Sequence, residues 1–147
     1  MENRYLFKAK RIDNGEWVQG NYVNGLDVFT NCEEIHIIFE PNTMFYSSGE
    51  TDGWYKVDPT TICQCTGLKD KNGNLIWEND IVAYWDTYST ENGLAEADCI
   101  GQVVWDDETL SFQVTNRLSA ESYEVLDECS VIGNIFDNPE LLESEGL

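Results

Sequence analysis

Short stretches of alternating apolar and polar residues, each ended by turn-forming residues, run through most of the 147-residue chain. A period of two belongs to a strand with one face buried and one in water, so the pattern predicts β structure. Tyr5 to Ile12 alternates in this way. Asp13-Asn14-Gly15-Glu16 follows, where Asn and Gly accept the positive φ of a hairpin turn. Trp17 to Val23 returns, Asn24-Gly25 predicts a second turn into Leu26 to Thr30, and Glu34 to Phe39 reads as a further strand. Pro41, Ser47-Ser48-Gly49 and Asp52-Gly53 break the pattern, so residues 40–53 read as a loop.

Strands resume at Trp54 to Val57 and Thr61 to Thr66, and Asp70-Lys71-Asn72-Gly73 is another tight turn. In Ile81 to Asp86, alternation sends Ile81, Ala83 and Trp85 one way and Val82 and Tyr84 the other. Residues 87–98 are polar without a period and predict a mobile loop. Ile100 to Trp105 and Leu110 to Thr115 are strands joined by Asp106-Asp107-Glu108-Thr109, and Tyr123 to Leu126 and Ser130 to Ile135 complete the set. The helix signal is terminal and short: Asp137 or Asn138 as cap, Pro139 in first position, Glu140 against the dipole. Ten short strands and one helix predict a mainly β fold of antiparallel strands, as a barrel or as packed sheets. Without crossover helices, a parallel α/β fold is excluded.

The chain is long enough for one compact unit with its own core. Charge changes the picture more than length does. Twenty-eight Asp and Glu face eight Lys and Arg, a formal net charge of −20. Residues 1–71 hold eleven acids and seven bases, whereas residues 72–147 hold seventeen acids and one base, Arg117. Such a field repels phosphate backbones and anionic headgroups and favours cationic partners. It therefore speaks against direct nucleic-acid or membrane binding. Four bases, Arg4, Lys8, Lys10 and Arg11, lie in the first eleven residues and predict a basic first strand neutralised by an acidic body, within one copy or between copies joined head to tail.

Cys32, Cys63, Cys65, Cys99 and Cys129 are odd in number, and Met1 to Lys8 lacks the apolar run of a signal peptide. No stretch approaches the roughly 20 apolar residues of a membrane span. These features predict free thiols in a reducing cytoplasm.

Residues 57–82 carry a recognisable run, Val57-Asp58-Pro59-Thr60-Thr61-Ile62-Cys63-Gln64-Cys65-Thr66-Gly67-Leu68-Lys69-Asp70-Lys71-Asn72-Gly73, continued by Leu75-Ile76-Trp77-Glu78-Asn79-Asp80-Ile81-Val82. It resembles the signature of the YopX-like family of phage and prophage proteins. Phe7-Lys8-Ala9, Trp17-Val18 with Gly20, and the closing Val131 to Leu142 are similar too. Asn79 stands where glycine is usual in the family, and Cys65 where an aromatic residue is common. The resemblance implies a phage or prophage origin, a bacterial host cytoplasm and a mainly β fold with an SH3-like barrel. It implies a single unit over 1–147, subdivided into an N-terminal β part, 1–56, and a barrel part, 57–147. It supplies no catalytic residues or cofactors.

The residues add little chemistry. Cys63 and Cys65 share a strand face, but no second closely spaced ligand pair completes a zinc site, so no metal is expected. Asp70, Asn72 and Asn74 imitate an EF-hand loop until Leu75 takes the place of its glycine. His36, the only imidazole, falls on one face with Glu34 and Ile38 and reads as a solvated or core-edge residue. No Walker loop, G-x-G-x-x-G or G-x-S-x-G is present, so an enzyme is not expected.

Of the five tryptophans, Trp85 and Trp105 on regular strands read as core. Trp54 and Trp77, beside turns, read as candidate protein-binding anchors together with the acidic turn Asp106, Asp107 and Glu108. The function expected is that of an accessory protein binding a host or phage protein of basic character. Two alternatives stand beside it. One is mimicry of DNA by the acidic half. The other is nucleic-acid binding through Arg4, Lys8, Lys10 and Arg11, with Tyr5 and Phe7 stacking on bases.

Overall fold

The computed structural model describes residues 5–27, 31–41, 53–115, 122–124 and 128–145. They form eleven strands and one short helix, and every strand pairing with a defined register is antiparallel. The chain divides into two units, Met1–Cys65 and Thr66–Leu147.

The first unit is a sheet in the order β4-β3-β2-β1-β5, with β1 Phe7–Lys10, β2 Trp17–Asp27, β3 Glu33–Phe39, β4 Trp54–Lys56 and the start of β5, Cys63–Lys69. The Asp13–Glu16 turn forms as its composition dictates: Gly15 has φ 73°, its N–H donates to the Arg11 carbonyl, and Asn14 Oδ1 accepts the Glu16 N–H. No turn forms at Asn24-Gly25. Asn24 pairs with His36 and Gly25 with Ile35 inside one long strand, and the chain reverses at Asn31 and Cys32, with φ 59° and 61°. Gly20 is a packing requirement, since a Cβ there would sit 1.8 Å from the Phe39 carbonyl oxygen. The core is Ala9, Val18, Ile38 and Val57, with Phe7, Tyr55 and Ile62 packed against it. Between β4 and β5 lies a single 3-10 turn, Pro59–Thr61, capped by the Asp58 carboxylate on the Thr60 N–H.

In the second unit the end of β5 pairs with β6, Leu75–Trp77. A five-stranded sheet follows in the order β10-β9-β8-β7-β11, with β7 Asp80–Thr90, β8 Gly93–Asp106, β9 Ser111–Thr115, β10 Ser122–Glu124 and β11 Ser130–Asn134. One face of this sheet contributes Val82, Val103 and Val114 to a core completed by Ile76 and Cys129. Helix α1, Glu140–Glu145, lies against β8 with Leu142 buried.

The predicted loop at 87–98 is instead the end of a long hairpin. β7 and β8 stay paired from Ile81–Gln102 out to Thr90–Gly93 around the turn at Glu91 and Asn92. Cross-strand backbone bonding does not require an apolar face, so the hydropathy pattern fades while the ladder continues.

Candidate functional site

In the first unit, alternation puts Lys8 and Lys10 on one face of β1, beside Trp17, which pairs with Lys10. Their ammonium groups lie 4.8 and 5.5 Å from the Trp17 ring centre. Arg11 grips Asp13 through two hydrogen bonds, Nε to Oδ1 at 2.9 Å and Nη2 to Oδ2 at 2.5 Å, and lies 4.3 Å above Tyr55. That double bond to Arg11 holds the Asp13 carboxyl below the usual carboxylate range. The basic strand is thus occupied by its own unit's aromatics and acids. Phe7 turns to the core and packs 5.6 Å from Tyr22, so it is no open platform for bases. Arg4 lies outside the described residues.

Trp54, 37% exposed on β4, lines a cleft of about 360 Å³ with Arg11, Ile12, Asp13, Tyr55 and Lys56. A second cleft of about 320 Å³ takes in Ile12, Glu34, His36, Lys56, Val57 and Pro59. His36 sits at the core edge, where alternation places it. Its Nδ1 meets the Tyr22 hydroxyl at 2.5 Å and its Nε2 faces Glu34 at 3.5 Å. Burial, then the charge of Glu34, pushes the Tyr22 phenol up and keeps its proton. The imidazole is flanked by a phenol that can donate or accept and a carboxylate that only accepts. Both nitrogens thus have a partner, a phenol on one side and a carboxylate on the other.

In the second unit the acidic turn is first of all a turn. Asp106 Oδ1 accepts the Glu108 N–H at 2.9 Å, and Asp107 Oδ1 accepts the Trp105 indole N–H at 2.8 Å. Asp106, Asp107 and Glu108 stand together there. Trp54 belongs to the other unit, and Trp77 is 4% exposed. Trp77 is thus removed from the candidate surface: it lies in β6 beside buried Ile76, and the buried Asp80 carboxylate accepts its backbone N–H at 2.8 Å.

Both tryptophans expected in the core are exposed. Trp105 is 44% exposed, at the last rung but one of the β8–β9 ladder, edge-on to Phe112 at 5.1 Å. Trp85 is 59% exposed. It shares a face with Ile81 and Ala83, opposite to the core-facing Val82 and Tyr84, and Asp98 lies directly across from it on β8. Its alternation was legible, but alternation does not say how far along a strand a face stays covered: Ile81 on the same face is fully buried and Trp85 is not. The sequence signal pointing outward was the polar run that follows it.

Reasoning from the sequence also passed over Asp70 as no more than a turn former. Asp70 is 5% exposed. Its Oδ1 accepts the N–H groups of Asn72 and Asn74, and its Oδ2 accepts the Val131 N–H at 2.9 Å and Asn74 Nδ2. Burial alone would raise this carboxyl, but the bonds from Val131, Asn74 and Asn72 outweigh it and hold the group below the usual carboxylate range.

Cys63, Cys65 and Cys129 are buried free thiols, while Cys32 is exposed and Cys99 half-buried. Among the described residues no group of three or more His, Cys, Asp or Glu is placed to hold a metal ion. No helix there is long and apolar enough to cross a membrane.

The crystal structure of protein EF1440 from Enterococcus faecalis is similar with a TM-score of 0.53 and 27% identity, over 92% of this chain and 96% of that one. No curated protein matches. The family described as YopX protein matches residues 6–143, from before β1 to within α1, and takes in the Asp70 turn and the Asn79 turn. The chain belongs to the YopX protein family.

Proposed function

We propose that this protein is a phage- or prophage-encoded accessory protein that acts in the bacterial cytoplasm by binding a protein of basic character, and not by catalysis. The observation that carries this reading is Trp85, 59% exposed in the middle of a regular strand. Indole is costly to leave in water and is enriched among residues that anchor protein contacts. The unit that presents it holds eighteen Asp and Glu against three Lys and Arg, a field that attracts cationic partners and disfavours phosphate. The engaged nitrogens of His36 and the self-bonded acids of the 106–108 turn add nothing that would favour catalysis.

The test is capture by the tagged full chain from nuclease-treated host lysate, with stepped salt elution. The expected result is retention of one or a few basic proteins in stoichiometric amount, lost in Trp85→Ala. Absence of any retained protein at low salt would overturn the reading. Displacement by added DNA of proteins held equally by wild type and Trp85→Ala would instead assign the acidic half to mimicry of DNA.

A further inference from the structure

In the first unit two half-buried aromatic rings carry cations of the same unit: Lys8 and Lys10 over Trp17, Arg11 over Tyr55. Arg11 does so while its guanidinium is bonded to Asp13, so ring, cation and carboxylate form one assembly. In the second unit a ring and a carboxylate share one rung. Trp85 projects from β7 with Asp98, also exposed, across from it on β8. Side chains directly opposite in an antiparallel ladder have Cβ atoms about 4.5–5.5 Å apart, within reach of one guanidinium. Among the described residues no cation lies over Trp85. The next rung on the same face, Ala83 with Ile100, is half-buried and apolar, and Ile132 of β11 is exposed.

Resting on the protein-binding reading, we propose that Trp85 and Asp98 form a docking site for an arginine side chain of the partner protein. The planar guanidinium stacks on the indole, where the ring's quadrupole attracts it, and its N–H groups bond to the Asp98 carboxylate. The apolar Ala83–Ile100 rung receives the arginine's methylene stem or a neighbouring aliphatic side chain. The net charge of the unit draws arginine in and repels an anionic ligand. Docking by strand addition to β11 does not compete. Asp70 takes the Val131 N–H, Lys71 N–H donates to the Cys129 carbonyl, and Asn72 Nδ2 reaches Ser130 Oγ, so this edge is already bonded.

The experiment follows the indole N–H signals of the ¹⁵N-labelled full chain during titration with a capped Gly-Arg-Arg-Gly peptide, its lysine counterpart and its citrulline counterpart. Trp85→Phe identifies the Trp85 signal, and the other four indoles report that each variant is folded. The expected result is a saturating shift of the Trp85 signal with arginine, weaker with lysine and absent with uncharged citrulline. Asp98→Asn should weaken arginine binding roughly threefold to fivefold, the upper range of an exposed ion pair. Glu91→Gln, the same charge change at the hairpin turn, should not. A Trp85 signal that stays still, or equal effects of Asp98→Asn and Glu91→Gln, would overturn the site. Capture of the same partner by wild type and Trp85→Ala would also overturn this site while leaving the protein-binding reading standing. Failure to capture any partner is the separate result that removes that reading.

Discussion

Asp70 ties the turn after β5 to the start of β11 by accepting three backbone N–H groups with one buried carboxylate. In Asp70→Asn one amide nitrogen must face donors, and in Asp70→Ala all three N–H groups lose their partner. Either leaves buried donors unsatisfied, so a loss of about 2–4 kcal/mol is expected in urea unfolding, larger for alanine. The pH dependence has a definite sign. The folded carboxyl is held below its unfolded value of about 3.9, so its contribution is fully present above that value. It is lost as pH falls through the folded value. The gap in stability between wild type and Asp70→Asn should therefore be constant from pH 7 to about 5 and narrow below about 4. A gap that stays constant down to pH 3 would show that the carboxylate charge is not what holds the turn. The role of Asp70 in turning the chain was readable from Asp70-Lys71-Asn72-Gly73. Its bond to Val131 was not, because 61 positions separate them and only the fold brings them together.

At the scale of elements, β2 and the β7–β8 hairpin show where local chemistry stops deciding. Asn-Gly makes a turn at Asn14-Gly15, where Gly15 takes positive φ, and makes none at Asn24-Gly25, where β3 pairs along the whole segment and overrides the local preference. Asn79 is the opposite case: it stands where the family usually has glycine and takes φ 71°, as a turn into β7 demands. The core was legible wherever one face alternates against the interior, as in Val82, Val103 and Val114. The candidate site was not, since whether Trp77 or Trp85 is covered depends on where along its strand another element meets it. Gly20 tests the packing of the first sheet. Gly20→Ala forces Cβ onto the Phe39 carbonyl, and β2 and β3 must separate to admit it. A loss of about 2–3 kcal/mol is expected in thermal or urea unfolding. Gly25→Ala on the same strand meets open space and should change stability by less than about 1 kcal/mol. Equal effects of the two would mean that backbone freedom, and not close approach, explains Gly20.

The whole chain carries −20, and the uneven division of that charge sets how the molecule responds to its solvent. The described bases of the first unit are spent locally: Arg11 on Asp13, Lys56 on Asp27, Lys8 and Lys10 over Trp17. In the second unit three Lys and Arg face eighteen Asp and Glu, so most of those carboxylates can have no cationic partner. Repulsion among them is weaker in the expanded unfolded chain, which makes it a destabilising contribution to the fold. Salt shortens its range from about 30 Å at 0.01 M to about 10 Å at 0.1 M, comparable to the spacing of charges on one domain. Sodium chloride should therefore raise the melting temperature, with most of the rise below about 0.2 M, and it should raise it most where Asp and Glu are fully ionised. At pH 7 the predicted rise from 0.01 to 0.2 M is several degrees, corresponding to about 1 kcal/mol for a domain of this size. At pH 4.5, with part of the carboxylates protonated, the rise should be smaller. Scanning calorimetry at the two pH values decides between this account and a fold held by ion pairs, because salt would lower the melting temperature of the latter. The same screening should weaken capture of a basic partner, so the conditions that stabilise this protein alone are those in which its proposed complex is weakest.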